Sequence, residues 1–450
     1  MRNCELLIVG AGPTGLGAAR RLIERGQTDW ELLEESEHVG GQSASFVDDA
    51  GFTWDVGGHV LFSRYDRFTR LLDELLGDDY FTHQRQAWIR MPNVWVPYPF
   101  QNNIRHLPRA TAWECIEGLL DAKGAESGTD FLSWIRGTLG AGIARHFMVP
   151  YNEKLWRHPL DEMSTVWLGN MVSSVDCRSV LHNLVMGEDE TSFGQNATFK
   201  YPASGGTGEL FRRFLRDGDQ RVRTGVSVVE IDAPGRIARL SDGSAVAFGD
   251  LISTMPLPHL VRMSIGVPER LRSVADGLVS NTVVIVGVGV DRPTDSSRSW
   301  IYTPSADVPF YRVTYLSNYS ANNVPCPDRQ HSLMCEVAFR PTDSIDQDVV
   351  ARETVDGLIA LGFLGEDDRP QIASLWTLVA PMAYPVPTRD RDDRVRELLR
   401  HYRQHGIHSR GRSGTWRYET GSMDQCVMQG IELVDRLLGG EPETTVGELV

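Results

Sequence analysis

Three glycines near the start of the chain have the spacing of a dinucleotide-binding turn. Gly10, Gly12 and Gly15 form a G-x-G-x-x-G motif, which permits a tight turn and close approach of the backbone to a pyrophosphate. The N-terminus of a following helix would bind the phosphates through its unpaired N–H groups. Glu34 comes about 20 residues later, where an acid accepts a hydrogen bond from a ribose hydroxyl. An acid there disfavours a 2′-phosphate, so the pattern predicts FAD or NAD rather than NADP.

Further glycines favour FAD over NAD. Gly40-Gly41 follows Glu34 closely, and in Rossmann-type flavoproteins a glycine pair there lets the chain pass next to FAD. His59 follows Gly57-Gly58 and suits contact with a flat ring, although a hydrogen-bonded core histidine is the alternative. Residues 410–418, rich in glycine and arginine, suit the second side of a flavin, and a solvated basic loop is the alternative. The predicted FAD residues are Gly10, Gly12, Pro13, Thr14, Gly15, Glu34, Glu35, Gly40, Gly41, Gln42, Gly57, Gly58, His59, Val228, Arg412 and Gly421.

Two aromatic segments are candidates for substrate contact. In residues 95–103 the prolines stiffen the chain, the rings offer stacking faces and the three amides offer hydrogen bonds, which suits a sugar or nucleotide pocket. The alternative is a stiff structural turn. On a strand, Trp300 and Tyr302 would share one face. Arg312 could meet a phosphate there, and a solvated charge is the alternative.

The apolar pattern predicts the elements that position these residues. Buried strands at 5–9 and 30–34 flank a helix at 16–24, the context in which a glycine motif is informative. Residues 108–184 are predicted to be helical, with the aromatic residues Trp113, Phe131 and Trp134 in the core. Further strands are predicted at 226–231, 250–254, 282–290, 300–302, 310–316 and 333–339, helices at 390–403 and 430–438, and a loop at 410–418.

Length and charge limit the classes of function. The 450 residues suggest two or three domains, and the net charge of −15 argues against nucleic acid or an anionic membrane surface as partner. No apolar stretch approaches the ~20 residues needed to span a membrane. The six cysteines form no C-x-x-C pair and no cluster with zinc spacing, so no metal site is predicted. We expect reduced thiols in a cytoplasmic protein.

Several segments together resemble the UDP-galactopyranose mutase family, and its eukaryotic type more than the usual bacterial type. The glycine motif is shared by many flavoproteins, whereas the segments ending at Asn103 and Arg312 are far more specific. The matching segments are Asp55-Val-Gly-Gly-His-Val60, His83-Gln-Arg85, Trp95-Val-Pro-Tyr-Pro-Phe-Gln-Asn-Asn103, Pro150-Tyr-Asn-Glu-Lys-Leu-Trp156, Asn196-Ala-Thr-Phe199, Gly205-Gly-Thr-Gly208, Pro309-Phe-Tyr-Arg312, Ser317-Asn-Tyr319 and Ser409-Arg-Gly-Arg412.

The resemblance implies an α/β fold with three parts. A discontinuous Rossmann-type FAD-binding domain would comprise residues 1–83, 203–255 and 384–450. An inserted helical domain on the substrate side would comprise residues 107–190. An antiparallel β-sheet domain would comprise residues 84–106, 191–202 and 256–383.

The resemblance also implies an isomerase. Family members interconvert the pyranose and furanose forms of a nucleotide sugar: reduced flavin N5 attacks the anomeric carbon, displaces UDP and forms a covalent flavin–sugar adduct. UDP-galactopyranose is the leading substrate. Eukaryotic members reduce their flavin with NADPH, whereas bacterial members depend on less defined donors. Both dimers and tetramers occur in the family, which leaves the oligomeric state of this chain open.

Residue roles follow from the matching motifs. His59 resembles the histidine that supports N5 chemistry, Arg85 an arginine near the sugar, and Arg312 the arginine that holds the pyrophosphate. With Tyr302 they are the predicted catalytic residues. The predicted substrate-binding residues are Tyr98, Gln101, Asn152, Trp156, Asn196, Trp300, Tyr302, Arg312, Tyr319, Tyr384 and Tyr418.

Two positions depart from the family pattern. The family carries a second diphosphate-binding arginine in a W-L-G-x-R segment, where this chain has Met171, and losing such a contact costs ~1.5–3 kcal/mol. The asparagine expected shortly after Tyr418 is Ser422. A different nucleotide, or a deoxy- or pentopyranose sugar, is therefore an open alternative for the substrate.

Two other functions fit parts of the sequence. An FAD oxidoreductase of the amine-oxidase or protoporphyrinogen-oxidase type shares the Rossmann entry, and it predicts a deeper apolar pocket with fewer phosphate-binding groups. A non-catalytic flavin-binding or assembly protein is the third hypothesis, against which the intact set of His59, Tyr302 and Arg312 argues.

Overall fold

The computed structural model describes residues 1–122, 128–169, 171–173, 175–192, 194, 196–215 and 219–447. In chain order, the strands are β1 (Arg2–Val9), β2 (Trp30–Leu33), β3 (Ser45–Val47), β4 (Thr53–Asp55), β5 (Tyr80–Gln84), β6 (Ala87–Met91), β7 (Val94–Pro97), β8 (Thr198–Pro202), β9 (Val222–Arg223), β10 (Val228–Asp232), β11 (Ile237–Leu240), β12 (Ala245–Ser253), β13 (Ser264–Ile265), β14 (Thr282–Val290), β15 (Trp300–Tyr302), β16 (Arg312–Tyr315), β17 (His331–Phe339), β18 (Ile372–Ala380) and β19 (Ile407–Ser409). The helices are α1 (Pro13–Glu24), α2 (Asp66–Leu76), α3 (Arg109–Ala122), α4 (Phe131–Ile143), α5 (Val149–Trp156), α6 (Cys177–Met186), α7 (Gly208–Arg212), α8 (Leu257–Met263), α9 (Glu269–Asp276), α10 (Gln347–Ala360), α11 (Arg391–Arg403), α12 (Gly411–Gly414) and α13 (Met423–Gly439).

The first sheet carries the glycine motif. Its strands lie in the order β13-β10-β11-β12-β1-β2-β9, with β19 beside β12, and β1 runs parallel to both of its neighbours. Alternate residues of β1 enter two different cores: Leu6 and Ile8 pack with α1 and α13, whereas Leu7 and Val9 pack with β10–β12 and α11. Because both faces are covered there, the second half of β1, from Leu6 to Val9, is an unbroken apolar run, as is typical of a parallel strand.

The second sheet is largely antiparallel and has the order β18-β14-β17-β16-β15-β6-β7. Every residue of β14 is buried, and the strand pairs with β18 on one side and β17 on the other. The even-numbered valines from Val284 to Val290 pack under α10, and the opposite face contributes Val283 and Ile285 to the largest core. The sequence-based prediction of a central strand at 282–290 is therefore confirmed.

Helices α3–α6 form a layer next to the second sheet, sharing its core through Ile135, Phe147 and Trp156. Phe131 is fully buried, as expected, but Trp113 is 58% exposed. The prediction that Trp113 belongs to the core is wrong. Helical spacing shows that a helix has an apolar face but not which part of that face its neighbour covers. Helix α4 covers the side of α3 that carries Cys115 and Leu119.

Most predicted elements are present, with shifted ends. The last helix starts at Met423 rather than at residue 430, and the predicted loop at 410–418 contains the short helix α12. The division into three domains stays a prediction, and two strand pairings cross its boundaries. Strand β13 pairs with β10 of the first sheet, although its residues are predicted for the β-sheet domain. Strand β5, predicted almost entirely for the FAD-binding domain, pairs with β8, which is predicted for the β-sheet domain. Among the described residues, no helix is long and apolar enough to cross a membrane.

Candidate active site

A cavity of about 610 Å³ opens at the carboxyl end of β1. Ligands of open α/β sheets bind in the crevice at this end of the strands. The lining comes from both sheets: Val9 and Leu33 end strands of the first sheet, and Leu378 belongs to β18 of the second. Predicted FAD residues that line the cavity are Gly10, Gly12, Pro13, Thr14, Glu34, Glu35, Gly41, Gln42, Gly58, His59, Val228, Arg412 and Gly421.

The three motif glycines do different things. Gly10 turns the chain with a φ of 99°, and its N–H donates to the carbonyl of Leu33 at 2.8 Å. Gly15 allows α1 to pack on the turn, because a Cβ there would lie 1.9 Å from the carbonyl oxygen of Gly10. Gly12 precedes α1 and lines the cavity, and a Cβ there would meet no protein atom within 4 Å. The open side of Gly12 thus has room for a ligand.

Glu34 lies at the end of β2, with its carboxylate held by the backbone. The N–H of Ala11 donates to Oε2 at 2.6 Å, and the N–H of Ser36 donates to Oε1 at 2.9 Å. Burial raises the pKa of this carboxyl above its ordinary value. A carboxylate carries more lone pairs than these two donors use, so Glu34 can still accept from a ribose hydroxyl.

Gln42, Arg412 and Gly421 also line the cavity. The guanidinium of Arg412 donates to the side-chain oxygen of Gln42 and lies 5.3 Å from the ring centre of Tyr384. Gly421 makes room for this arginine, since a Cβ there would lie 2.5 Å from its Cδ. Gly15, Gly40 and Gly57 do not line the cavity and support the residues that do.

His59 is mostly buried and lies beside two arginines. Burial, followed by the charges of Arg412 and Arg312, lowers the pKa of the imidazole to about 3. The ring is therefore neutral at pH 7. Its Nδ1 finds no hydrogen-bond partner among the described residues. A buried polar atom without a partner is costly, and a ligand in the cavity would supply one.

These features fit an FAD. The turn at Gly12 and the N-terminus of α1 suit a pyrophosphate, Glu34 suits a ribose, and the neutral His59 lies in the loop predicted to meet the flavin ring. Among the described residues, no group of three or more His, Cys, Asp or Glu side chains could hold a metal ion.

The second sheet places Arg312 beside this cavity. Directly opposite residues in neighbouring strands share a face, and the register sets Tyr302, Arg312 and Glu336 in one row. The row continues through Ile285 to Leu378, which lines the cavity. The guanidinium of Arg312 donates to Glu336 through Nε at 2.6 Å and through Nη2 at 2.8 Å.

Aromatic side chains surround Arg312. Tyr302 accepts a hydrogen bond from Trp300 Nε1 at 2.9 Å, and its ring centre lies 5.2 Å from that of Tyr98. The hydroxyl of Tyr319 is buried and finds no partner in the described part of the chain. Burial raises the pKa of Tyr302 and Tyr319, so both phenols stay neutral hydrogen-bond donors.

A second aromatic group joins Trp156 of the helical layer to Tyr384 and Tyr418. Trp156 packs edge-on against Tyr418 with ring centres 5.1 Å apart, and Tyr384 lies 5.6 Å from Tyr418. Arg85 donates to the side-chain oxygen of Asn196 at 2.7 Å and lies 5.3 Å from the ring centre of Tyr98. The structure thus gathers these predicted residues around Arg312 and the cavity edge.

Two predicted substrate residues use their amides inside the protein. Asn152 donates to the carbonyl of Met148 at 2.7 Å and accepts from Trp156 Nε1 at 3.1 Å. Gln101 donates to the carbonyl of Ser173 at 2.7 Å. Both side chains are buried and orient the aromatic residues beside them, and direct substrate contact by either stays a prediction.

Sequence reasoning missed Glu336 and Tyr151. Glu336 is 1% exposed and bonds Arg312, and an antiparallel register for the two predicted strands would have set the two residues opposite each other. Tyr151 lies in the segment from Pro150 to Trp156 that resembles the family, and its ring centre is 5.4 Å from that of Tyr302. Its helical neighbours gave no sign of which way it faces.

The two departures from the family pattern have distinct surroundings. Met171 is 42% exposed, and Asn170 before it lies outside the described residues. Trp167, one turn earlier, packs edge-on against Tyr418 at 5.7 Å. Ser422 caps α13 in a reciprocal arrangement with Gln425, which accounts for a serine there.

Comparison with known proteins agrees with this site. The family model for flavin containing amine oxidoreductase matches residues 13–438. A crystal structure of reduced UDP-galactopyranose mutase is 35% identical, covers 99% of this chain and 98% of its own, and superposes with a TM-score of 0.94. A putative protoporphyrinogen oxidase from Exiguobacterium sp. 255-15 is 18% identical over 97% of this chain and 98% of its own, with a TM-score of 0.72, and shows a shared fold.

Curated relatives match a shorter segment. The 15-cis-phytoene desaturase of Capsicum annuum is 34% identical over 90 residues, which is 20% of this chain and 15% of that relative. The zeta-carotene desaturase of Zea mays is 33% identical over 75 residues, 17% of this chain and 13% of that relative. The whole-length matches carry the assignment, and by them this chain belongs to the UDP-galactopyranose mutase family within the flavin-containing amine oxidoreductases.

Proposed function

We propose that this protein interconverts the pyranose and furanose forms of a nucleotide sugar, with UDP-galactopyranose and UDP-galactofuranose as the leading pair. The observation that carries the proposal is the position of Arg312. It lies among aromatic side chains and also touches the cofactor loop, since a Cβ on Gly58 would lie 3.5 Å from its Cζ. A diphosphate on Arg312 therefore has its sugar next to the predicted flavin ring.

The cofactor would be held by residues at both ends of the cavity. Gly12 and the start of α1 would meet the pyrophosphate, Glu34 the ribose, and His59 and Arg412 the flavin. Reduced FAD, when bound, supplies a nucleophilic N5 for the anomeric carbon of the sugar. His59 has too low a pKa to donate a proton as imidazolium at neutral pH, so its neutral ring would serve the flavin through the unpartnered Nδ1.

The chain's own side chains assist departure and return of the nucleotide. Arg312 would neutralise the charge that develops on the leaving diphosphate, which lowers the barrier because the site is largely closed to water. Tyr319 has a hydroxyl free to donate to a phosphate oxygen. Trp156 of α5 packs against Tyr384 and Tyr418, and the three rings would hold the sugar beside the cofactor.

The reaction changes no net oxidation state, so a reductant is needed only to prepare the flavin. NADPH is our candidate for this role, and Arg412, which lines the cavity, offers a partner for one of its phosphates. The cytoplasm, where reduced pyridine nucleotides are abundant, is the location that we propose.

The test uses anaerobic holoenzyme reduced with dithionite. We expect UDP-galactofuranose to be converted to UDP-galactopyranose, as followed by chromatography, while the oxidised holoenzyme is inactive. Arg312→Lys should lower kcat/KM by at least about tenfold, because a lysine cannot make the bidentate contact. The proposal fails if no nucleotide furanose gives a pyranose. Steady oxygen consumption with an amine or a porphyrinogen would support an oxidase instead.

A further inference from the structure

Glu336 accepts hydrogen bonds from three different residues. The hydroxyl of Tyr311 donates to Oε2 at 2.5 Å, Arg312 donates through Nε and Nη2, and the N–H of Gly58 donates to Oε1 at 3.1 Å. The carboxylate is 1% exposed. Four donors on one buried carboxylate satisfy its charge and leave it a single arrangement.

The donors come from both halves of the site. Arg312, the predicted diphosphate residue, begins β16, and Tyr311 directly precedes it. Gly58 lines the cavity and belongs to the loop that ends in His59. The contact is tight on the loop side, because a Cβ on Gly58 would lie 2.8 Å from Thr314 Oγ1. A shift of Glu336 would therefore move the loop and the guanidinium together.

The bonding leaves Arg312 an unused edge. A guanidinium has five N–H donors in a rigid fork, and Glu336 takes the edge formed by Nε and Nη2. No described residue accepts a hydrogen bond from Nη1, so the edge formed by Nη1 and Nη2 can make a bidentate contact with a phosphate. Glu336 thus fixes the plane and the direction of the guanidinium without blocking it.

We propose that Glu336 is a positioning residue that holds the Arg312 guanidinium for the diphosphate and the Gly57–His59 loop for the flavin in one arrangement. This inference rests on the proposed function. It makes a specific claim: one substitution at Glu336 weakens two different ligands, neither of which it touches. Its effect on the nucleotide passes through Arg312, and its effect on the flavin passes through Gly58.

The test is a double-substitution cycle on the holoenzyme, with Glu336→Gln and Arg312→Lys. A glutamine has one acceptor oxygen and one NH2 group, so in either orientation it sets a donor against two of the four donors: Arg312 Nη2 and the Tyr311 hydroxyl, or Arg312 Nε and the N–H of Gly58. We expect Glu336→Gln to weaken binding of UDP, measured by calorimetry, by at least about tenfold. In the Arg312→Lys background the same change should cost less than about threefold, because the group that it positions is absent.

Flavin retention is the second readout. The fluorescence of FAD released on dilution should increase for Glu336→Gln in both backgrounds, whereas Arg312→Lys alone should retain FAD within about threefold of the parent. Asp368→Asn is the matched control, because Asp368 is a buried acid paired with Arg292 away from the cavity. That control should change neither ligand.

The outcomes separate the two proposals. Wild-type holoenzyme that binds no UDP contradicts the proposed function. Normal UDP binding with equal penalties in both backgrounds, tighter UDP binding in Glu336→Gln, or unchanged FAD retention contradicts the positioning role. If Glu336→Gln does not fold, Tyr311→Phe removes only one donor to Glu336 and should weaken both ligands in the same direction by about two- to tenfold.

Discussion

Replacing Gly12 and Gly15 separately with alanine distinguishes the ligand contact of the glycine turn from its packing. Both residues belong to the same motif, whose glycines provide for a tight turn, close approach of the backbone to a pyrophosphate, and helix–strand packing. The structure separates the last two purposes, because a Cβ on Gly12 would meet no protein atom within 4 Å, whereas one on Gly15 would lie 1.9 Å from a backbone oxygen. The two variants should therefore fail in different assays.

Gly12→Ala should fold normally and bind FAD poorly. Its φ of −73° suits any residue, so the loss of unfolded-state freedom should even stabilise the protein by about 0.4–1 kcal/mol. The added methyl group enters the cavity where a pyrophosphate would approach the backbone. Losing one hydrogen bond to a charged phosphate costs ~1.5–3 kcal/mol, which corresponds to roughly 10- to 150-fold weaker FAD binding.

Gly15→Ala should lower the free energy of unfolding. A methyl group cannot lie 1.9 Å from the Gly10 carbonyl oxygen, so α1 or the turn must move. Overpacking of this kind costs about 1–3 kcal/mol, and here the obstacle is backbone rather than a flexible side chain. FAD binding should weaken as a consequence of the distorted turn.

Urea unfolding of the ligand-free variants and fluorescence titration with FAD give the two numbers. Gly26→Ala is the control, since this exposed glycine follows α1 and lies away from the cavity, although its φ of 71° should cost some stability by itself. The reasoning is refuted if Gly12→Ala loses stability without losing FAD, or if Gly15→Ala is as stable as the parent protein.

Four further predictions follow from buried or displaced charges. Asp55→Asn should lower the free energy of unfolding by about 1.5–3 kcal/mol in urea titrations, because Asp55 accepts hydrogen bonds from Ser45, Tyr201 and twice from Thr207. Asp49→Asn, at an exposed site, should leave the free energy of unfolding unchanged. Glu443→Gln should cost about 3–5 kcal/mol by the same measurement, because it leaves Arg410 and Arg436 without their buried partner, and the exposed Glu441→Gln should be silent. Because the pKa of His59 is lowered to about 3, only the unfolded chain binds a proton at this residue between pH 6.5 and pH 3. The free energy of unfolding of the ligand-free protein should therefore fall by about 1.4 kcal/mol for each pH unit below 6.5. His59→Asn should remove this slope. Met171→Arg should tighten UDP by up to roughly 10- to 150-fold if the diphosphate reaches this position, and unchanged affinity would show that the nucleotide lies elsewhere.

The cofactor half of the site could be predicted from the sequence because its signals are local. The glycine motif, Glu34 and the Gly57–His59 loop each fall within one short segment, and each segment borders the cavity as its spacing suggests. Strands such as β14 were equally visible, because complete burial leaves an unbroken apolar run. Trp113 was misplaced because periodicity tells that a face exists but not which part of it a neighbour covers.

The substrate half depends on contacts between distant segments. Residue types alone indicated the aromatic segment 95–103 and the group of Trp300, Tyr302 and Arg312, whereas the remaining substrate residues came only from the family resemblance. Asn152 illustrates the limit of such reasoning. The motif predicts a substrate contact for it, yet its amide forms hydrogen bonds with Met148 and Trp156. The atoms that Asn152 turns toward the ligand depend on how α5 packs against its neighbours. The spacing of residues in the sequence does not predict that packing.

Three buried acids explain why this protein can keep charged groups beside an apolar core. Glu34, Asp55 and Glu336 each accept from donors that are distant in sequence, and each joins segments that form the cavity. A buried carboxylate is costly when unpaired, so these contacts must form together with the fold. The packing that supplies hydrogen-bond donors to these buried acids also places Gly12 and His59 in the lining of the cavity and Arg312 beside it. We therefore expect substitutions at these acids to reduce ligand binding even where the fold survives.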